Sequence, residues 1–248
     1  MRGLIRLTWL EVKIFVREPL GVIGTVLVPA LTFVVVGRIV GPPMRRGVRT
    51  LPPIVSVDLP ILTAMLIAIS AVLSLVAVIA IYREGGILKR LRATPLRPAT
   101  ILTAHVLVKL LFTAIGIAIM VLGGRGYYPV PPGVPLMSFS LGVLVSTVAI
   151  LSLGFVLASL APTARFAQPI GALILYPMLG VSGLFAPIEE MPSRLQTLAR
   201  FTPFTYAVSL LRGLWRGEGW RAHSVDVAAL VLVFLVCIVA ATKLFRWE

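Results

Sequence analysis

Cysteine and histidine are almost missing from this sequence. Cys237 is the one cysteine, and His105 and His223 are the two histidines. A lone cysteine closes no internal disulfide and gives no sign of a redox compartment. Two histidines and one cysteine also fall short of an ordinary zinc site, so no metal site is expected. Acidic residues are scarce as well, 9 against 23 lysines and arginines. Asp58 and Asp226 stand at the edges of apolar runs, and no long run contains a carboxylate. An ion-coupled secondary transporter commonly needs such groups near mid-membrane, so that reading is the weaker alternative. Glu189 and Glu190 are adjacent on a polar stretch without a histidine. A lipid-modifying enzyme would need convergent nucleophiles, carboxylates or metal ligands, which makes it weaker still. The phosphate cradle G-x-x-x-x-G-K-S/T does not occur, so ATP has no usual site here.

What is abundant is apolar length. Hydrophobic residues make up 58% of the 248 and charged ones 13%, with a mean hydropathy of +1.02. Uncharged runs cover Pro19–Gly37, Leu59–Tyr82, Leu110–Gly124, Gly126–Ala164, Phe166–Ile188 and Val227–Thr242. A helix needs about 20 such residues to cross about 30 Å of hydrocarbon. The net charge of +14 lies in short segments between these runs. That placement suits loops facing anionic headgroups and not a nucleic-acid surface.

The expected fold is therefore an all-α membrane protein of six transmembrane helices in one domain, 1–248. The spans are placed at about 20–40, 59–82, 99–123, 136–160, 168–185 and 225–242, with Pro29 as a kink in the first. Pro129, Pro131, Pro132 and Pro135 make the start of the 126–164 run an extended loop. Charges recur from Arg2 to Glu18, which does not match a signal peptide, so the first span is expected to remain in the mature protein.

Residues 1–18 read as an amphipathic helix lying on the membrane. At about 100° per residue, Arg2, Arg6, Lys13 and Arg17 fall within an arc of about 60°. Leu4, Ile5, Leu7, Ile14 and Phe15 take the remaining surface, Trp9 suits the headgroup level, and Glu11 falls off the basic stripe. With the N-terminus inside, the inner segments hold slightly more basic residues than the outer ones. The basic helix and the cluster at 83–97 favour cytoplasmic termini.

The segment between the second and third spans runs Tyr82-Arg-Glu-Gly-Gly-Ile-Leu-Lys-Arg-Leu-Arg-Ala-Thr-Pro-Leu-Arg-Pro98. Gly85-Gly86 ends one helix, and Pro95 and Pro98 limit a short second one. In that short helix Ile87, Leu88 and Leu91 share a face, while Lys89, Arg90 and Arg92 take the rest. Such a knob could dock into a groove on a cytoplasmic partner, or be an ordinary basic inner loop.

The same stretch resembles the second cytoplasmic segment of ABC-2 type transporter permeases, approximately E-R-E-x-G-T-x-x-R-L-R-x-T-P. Arg83, Glu84, Gly86, Arg90, Leu91, Arg92, Thr94 and Pro95 match, while Tyr82 and Ile87 depart from the pattern. Thr202-Pro-Phe-Thr-Tyr206 followed by Leu211-Arg212 is similar to the family's N-P-x-T-Y…L-R stretch, with Thr202 in place of asparagine. Gly183-Leu-Phe-Ala-Pro-Ile188 with Met191-Pro192 resembles the family's exit from the fifth span.

The resemblance implies the membrane half of an ABC exporter in the cytoplasmic (inner) membrane. It would move an amphiphile such as a drug, lipid or glycan. Two copies of a separate ATPase subunit would bind ATP and Mg, with no cofactor on this chain. A second permease copy would complete a homo- or heterodimer among membrane lipids. It further implies that Glu84, Arg90, Leu91 and Arg92 contact the ATPase, with Ile87 and Leu88 in the same knob. Residues 189–221 are too polar to span and read as one or two short re-entrant or interfacial helices. By resemblance they cap the exit, with Pro203, Thr205, Tyr206 and Arg212 as the marked residues; an ordinary outer loop is the alternative. Lys109 is the one charge well inside a span, about 16 Å along the helix from Pro98. A structural role, snorkelling toward the cytoplasmic side, is preferred to a place on the pathway.

Overall fold

The structure is a computed structural model that describes residues 2–17, 23–27, 31, 34–35, 59–69, 72–73, 75–86, 98–124, 135–160, 163–184 and 187–244. Every regular element among them is helical. In chain order the α-helices are α1 (Arg2–Arg17), α2 (Leu59–Ile69), α3 (Leu75–Glu84), α4 (Pro98–Gly124) and α5 (Leu136–Leu160). They continue with α6 (Ala164–Val181), α7 (Ser193–Arg200), α8 (Pro203–Trp215) and α9 (Ser224–Leu244).

Among the described residues, three helices contain stretches long and apolar enough to cross a membrane: Thr103–Met120 in α4, Leu136–Leu160 in α5 and Ser224–Ala241 in α9. These coincide with the third, fourth and sixth expected spans. The second expected span, 59–82, is described in parts, as α2 and α3 with π-helical residues 72 and 73 between them. A π-turn inserts an extra residue per turn and bends the axis, a feature hydropathy does not register. The fifth expected span, 168–185, begins earlier and ends earlier, as α6. It opens at Ala164 despite the exposed Arg165, and it closes where Ser182 Oγ donates to Leu179 O at 2.8 Å. Of the first span only 23–27 (a π-turn), 31 and 34–35 are described, and Pro29 lies outside the described residues.

Helix α5 is the axis of the bundle. It packs on α9 most extensively, then on α8 and α3. Ile150 and Leu151 are fully enclosed there, together with Leu66 and Ile67 of α2, Ile79 of α3, Leu175 of α6 and Leu210 of α8. Such dense burial in a chain of apolar helices comes from side-chain fit and small residues, since lipid competes equally for apolar surface. Helix α9 turns Leu232, Leu235, Val236 and Val239 outward, which in water would be a large apolar patch and in a bilayer faces hydrocarbon. Helix α1 lies apart from the main core and packs on α4 through two small clusters, Leu7 with Ala104, and Phe15 with Val26, Val108 and Phe112.

Candidate functional site

Helix α3 runs straight to the segment singled out in the sequence. Its last residue, Glu84, is exposed. Gly85 N–H then bonds back to Ile81 O at 2.9 Å, and Gly86 adopts φ +66°. That left-handed conformation is open to glycine and strained for residues with a Cβ, so the pair ends the helix as its composition predicts. The chain is described again from Pro98, the first residue of α4. Ile87, Leu88, Arg90, Leu91 and Arg92 lie outside the described residues. Their flanks are fixed: an exposed carboxylate on a glycine turn, and a proline start.

The other end of this region is α1, and its surface divides in three. Arg6, Lys13 and Arg17 form the exposed basic stripe expected, with the Lys13 ammonium 5.6 Å from the Trp9 ring centroid. The backbone at Arg2 continues the helix. Ile5, Trp9 and Val16 make a second exposed stripe, apolar, at 68%, 61% and 58% exposure. Leu7 and Phe15 are buried against α4, with Leu4 and Ile14 half-buried beside them. The single apolar surface expected from the sequence is thus two surfaces, and Ile5 belongs to the outward one.

Glu11 sits at the centre of the buried face. It is 5% exposed and accepts a hydrogen bond from Tyr82 Oη at 3.0 Å, across 71 residues of sequence. His105 Nδ1 of α4 lies 3.8 Å from the other carboxylate oxygen, too far for a hydrogen bond. One turn further along α4, the buried Lys109 sets its ammonium over the Phe15 ring at 4.5 Å. Burial raises the Glu11 pKa above the ordinary value, opposed by the Tyr82 bond and the Lys109 charge. A cavity of about 20 Å³ lies among Glu11, Phe15, Leu75, His105 and Lys109, room for about one water. His105 Nε2 has no hydrogen-bond partner among the described residues. Lys109 is 3% exposed and sets its ammonium against α1. The helical angle of Glu11, off the basic stripe and amid Leu4, Leu7 and Phe15, agrees with its place on the buried face.

At the far end of the chain, residues 189–221 form two short helices followed by a turn, as the sequence suggested. Their roles differ. Helix α7 is polar, and the residues flanking its end, Leu198 and Phe201, are 55% and 82% exposed. Helix α8 is buried against α5, α2 and α9, with Phe204, Leu210, Leu211 and Leu214 fully enclosed. Pro203 starts it at a position where the missing N–H is harmless. Thr202 Oγ1 donates to Ala199 O at 2.9 Å and lies 2.7 Å from Thr205 Oγ1, while Tyr206 Oη donates to Arg200 O at 2.6 Å. The T-P-F-T-Y stretch is thus a hydrogen-bonded corner between α7 and α8. Arg212 lies half-buried on α8. The end of α8 meets the first turn of α5, where Trp215 and Phe139 pack edge to face at 5.0 Å.

The turn from α8 to α9 holds a second polar cluster. His223 Nδ1 is 2.8 Å from Asp226 Oδ2 and its Nε2 is 2.9 Å from Glu218 Oε2, while Ser209 Oγ donates to Asp226 at 2.7 Å. The serine bonds the aspartate and not the imidazole, so no nucleophile–base pair is formed. The two carboxylates lie on opposite ring nitrogens and do not converge on one point. No group of metal-ligating side chains occurs among the described residues.

A protein-family model for the ABC-2 type transporter matches residues 2–215. The chain is 32% identical over 144 residues to the inner membrane transport permease YhhJ of Escherichia coli (strain K12), covering 56% of this chain and 38% of that protein. It is 26% identical over 134 residues to nodulation protein J of Rhizobium leguminosarum bv. viciae, covering 54% and 49% respectively. Nodulation protein J of Bradyrhizobium diazoefficiens is 30% identical over the same length and shares. The match spans less than half the length of each of these relatives. No solved structure matches the chain significantly.

Proposed function

This chain belongs to the ABC-2 type transporter family, and from that membership we propose that it is the membrane-spanning permease subunit of an ATP-driven exporter. Its cargo would be an amphiphile of drug, lipid or glycan type. The observation that carries the reading is the family match running unbroken from the first residue of α1 to the last of α8. The Escherichia coli relative is named as an inner membrane transport permease, which supports a transport role, and neither its name nor that of nodulation protein J chooses the cargo.

On this reading the chain crosses the inner membrane six times, with α2 and α3 together as the second span and both termini cytoplasmic. Helix α1 lies on the inner surface. Its basic stripe of Arg6, Lys13 and Arg17 faces phosphates, and Ile5, Trp9 and Val16 dip toward acyl chains. Residues 84–97 contact a separate ATPase subunit, two copies per permease dimer, through Glu84, Ile87, Leu88, Arg90, Leu91 and Arg92. ATP and Mg would bind on that partner. Closure of the ATPase pair would displace this segment and shift the spans between inward and outward access, a rigid-body switch biased by ligand binding elsewhere. The α7–α8 corner, with Pro203, Thr205, Tyr206 and Arg212, caps the outer end. The packing of Trp215 on Phe139 supports this, because α5 is entered from the end of α4 remote from residue 98.

The test is co-purification of the ATPase subunit with the wild-type chain and with the double variant Arg90→Glu, Leu91→Asp. Loss of the ATPase from the variant, with unchanged membrane insertion, is expected. Equal recovery would remove the coupling assignment.

A further inference from the structure

Glu11 is an expensive residue where it stands. A carboxyl group on the buried face of a helix is stable only when its oxygens are bonded or paired, and here the partners come from two other elements. Tyr82 is two residues before Glu84, at the end of the helix that leads into 84–97, and His105 and Lys109 share one face of α4, the helix that leads out of it. One carboxyl group therefore touches both flanks of the segment and the surface helix at once.

We propose that the Glu11 carboxyl group is the joint through which movement of residues 84–97 is passed to helix α1 and the start of α4. The proposal rests on the coupling role given above to 84–97. The Tyr82–Glu11 bond is what ties the last turn of α3 to α1. The main apolar contacts of α1 are with α4, through Leu7 with Ala104 and Phe15 with Val108 and Phe112, with Val26 in the same cluster. The bond adds a directed polar tie to α3, beside the cavity wall that Leu75 and Val78 of α3 share with Ile14 and Phe15 of α1. The cavity between Glu11, His105 and Lys109 leaves room for the carboxyl to change partners without a clash, which a joint needs and a close-packed brace does not. Glu11 and Tyr82 are accordingly positioning residues.

The experiment is hydrogen–deuterium exchange on the permease–ATPase complex in lipid nanodiscs, nucleotide-free against vanadate-trapped Mg-ATP. In the wild type, exchange of residues 2–17 should change with trapping by about 2- to 12-fold, the range that one net hydrogen bond spans. Tyr82→Phe keeps the ring and removes the hydroxyl; it should abolish the response of 2–17 while the response of 84–97 persists. Glu11→Gln retains an oxygen that can accept from Tyr82 Oη and should keep most of the response. A response of 2–17 in Tyr82→Phe equal to wild type overturns the proposal, as does silence of 2–17 in the wild type while 84–97 responds. Silence of 84–97 in the wild type instead removes the coupling reading, and this inference with it.

Discussion

His223 is held between two carboxylates at a half-buried corner, and the balance of effects on it is legible. Burial alone would lower its pKa, but hydrogen bonds and charges from Asp226 and Glu218 outweigh that and raise it above the ordinary 6.5. A histidine with a raised folded-state pKa stabilises fully below its unfolded value and loses that contribution as pH rises through the folded one. The thermal unfolding midpoint of the purified protein should therefore fall as pH climbs above the ordinary histidine range and through the raised folded-state value. His223→Ala should flatten that slope, and an unchanged slope would refute the assignment. Gly213 belongs to the same corner, since a Cβ there would collide with the His223 ring. Gly213→Ala should cost about 1–3 kcal/mol of stability, as overpacking does, with much of the loss removed in the His223→Ala background.

Helix α1 shows how one periodic pattern can serve two surroundings. The basic stripe and the outward Ile5, Trp9 and Val16 fit an interface of headgroup and acyl chain, while Leu7, Glu11 and Phe15 fit protein. Trp9 fluorescence, taken as wild type minus Trp9→Phe, should be quenched by lipids brominated near the headgroup. Absence of quenching would place α1 in water. Helix α8 is the opposite case, since its sequence neighbours are polar yet most of its side chains are enclosed. Phe204→Ala should destabilise the bundle by about 3–5 kcal/mol, measured by thermal unfolding in detergent.

Among the described residues, two clusters of titratable side chains stand out: Glu11, Tyr82, His105 and Lys109 beside the 84–97 segment, and Glu218, His223 and Asp226, with Ser209, beside the end of α8. The six-span reading assigns these to opposite faces of the membrane. In a Cys237→Ser background, Arg6→Cys and Lys243→Cys should react with an impermeant maleimide only after the cells are opened. Arg216→Cys should react in intact cells. Labelling of all three from outside would reverse or dissolve the topology.

The sequence by itself determined that the chain is apolar and helical, because runs of about 20 uncharged residues leave the backbone no other way to satisfy its polar groups in lipid. It also determined the stop at Gly85-Gly86 and the bounds of α4, α5 and α9, each marked by glycine, proline or charge. Only the tertiary structure decided that residues 72 and 73 are π-helical, that α8 is buried while α7 is not, and that Glu11 meets Tyr82. Those outcomes depend on contacts between residues far apart in the chain. A hydropathy pattern records how each residue compares with water, not which neighbour it will have. The buried carboxyl shows the difference best: its helical angle placed it on the buried face, and the fold alone supplied the hydroxyl that makes burial tolerable.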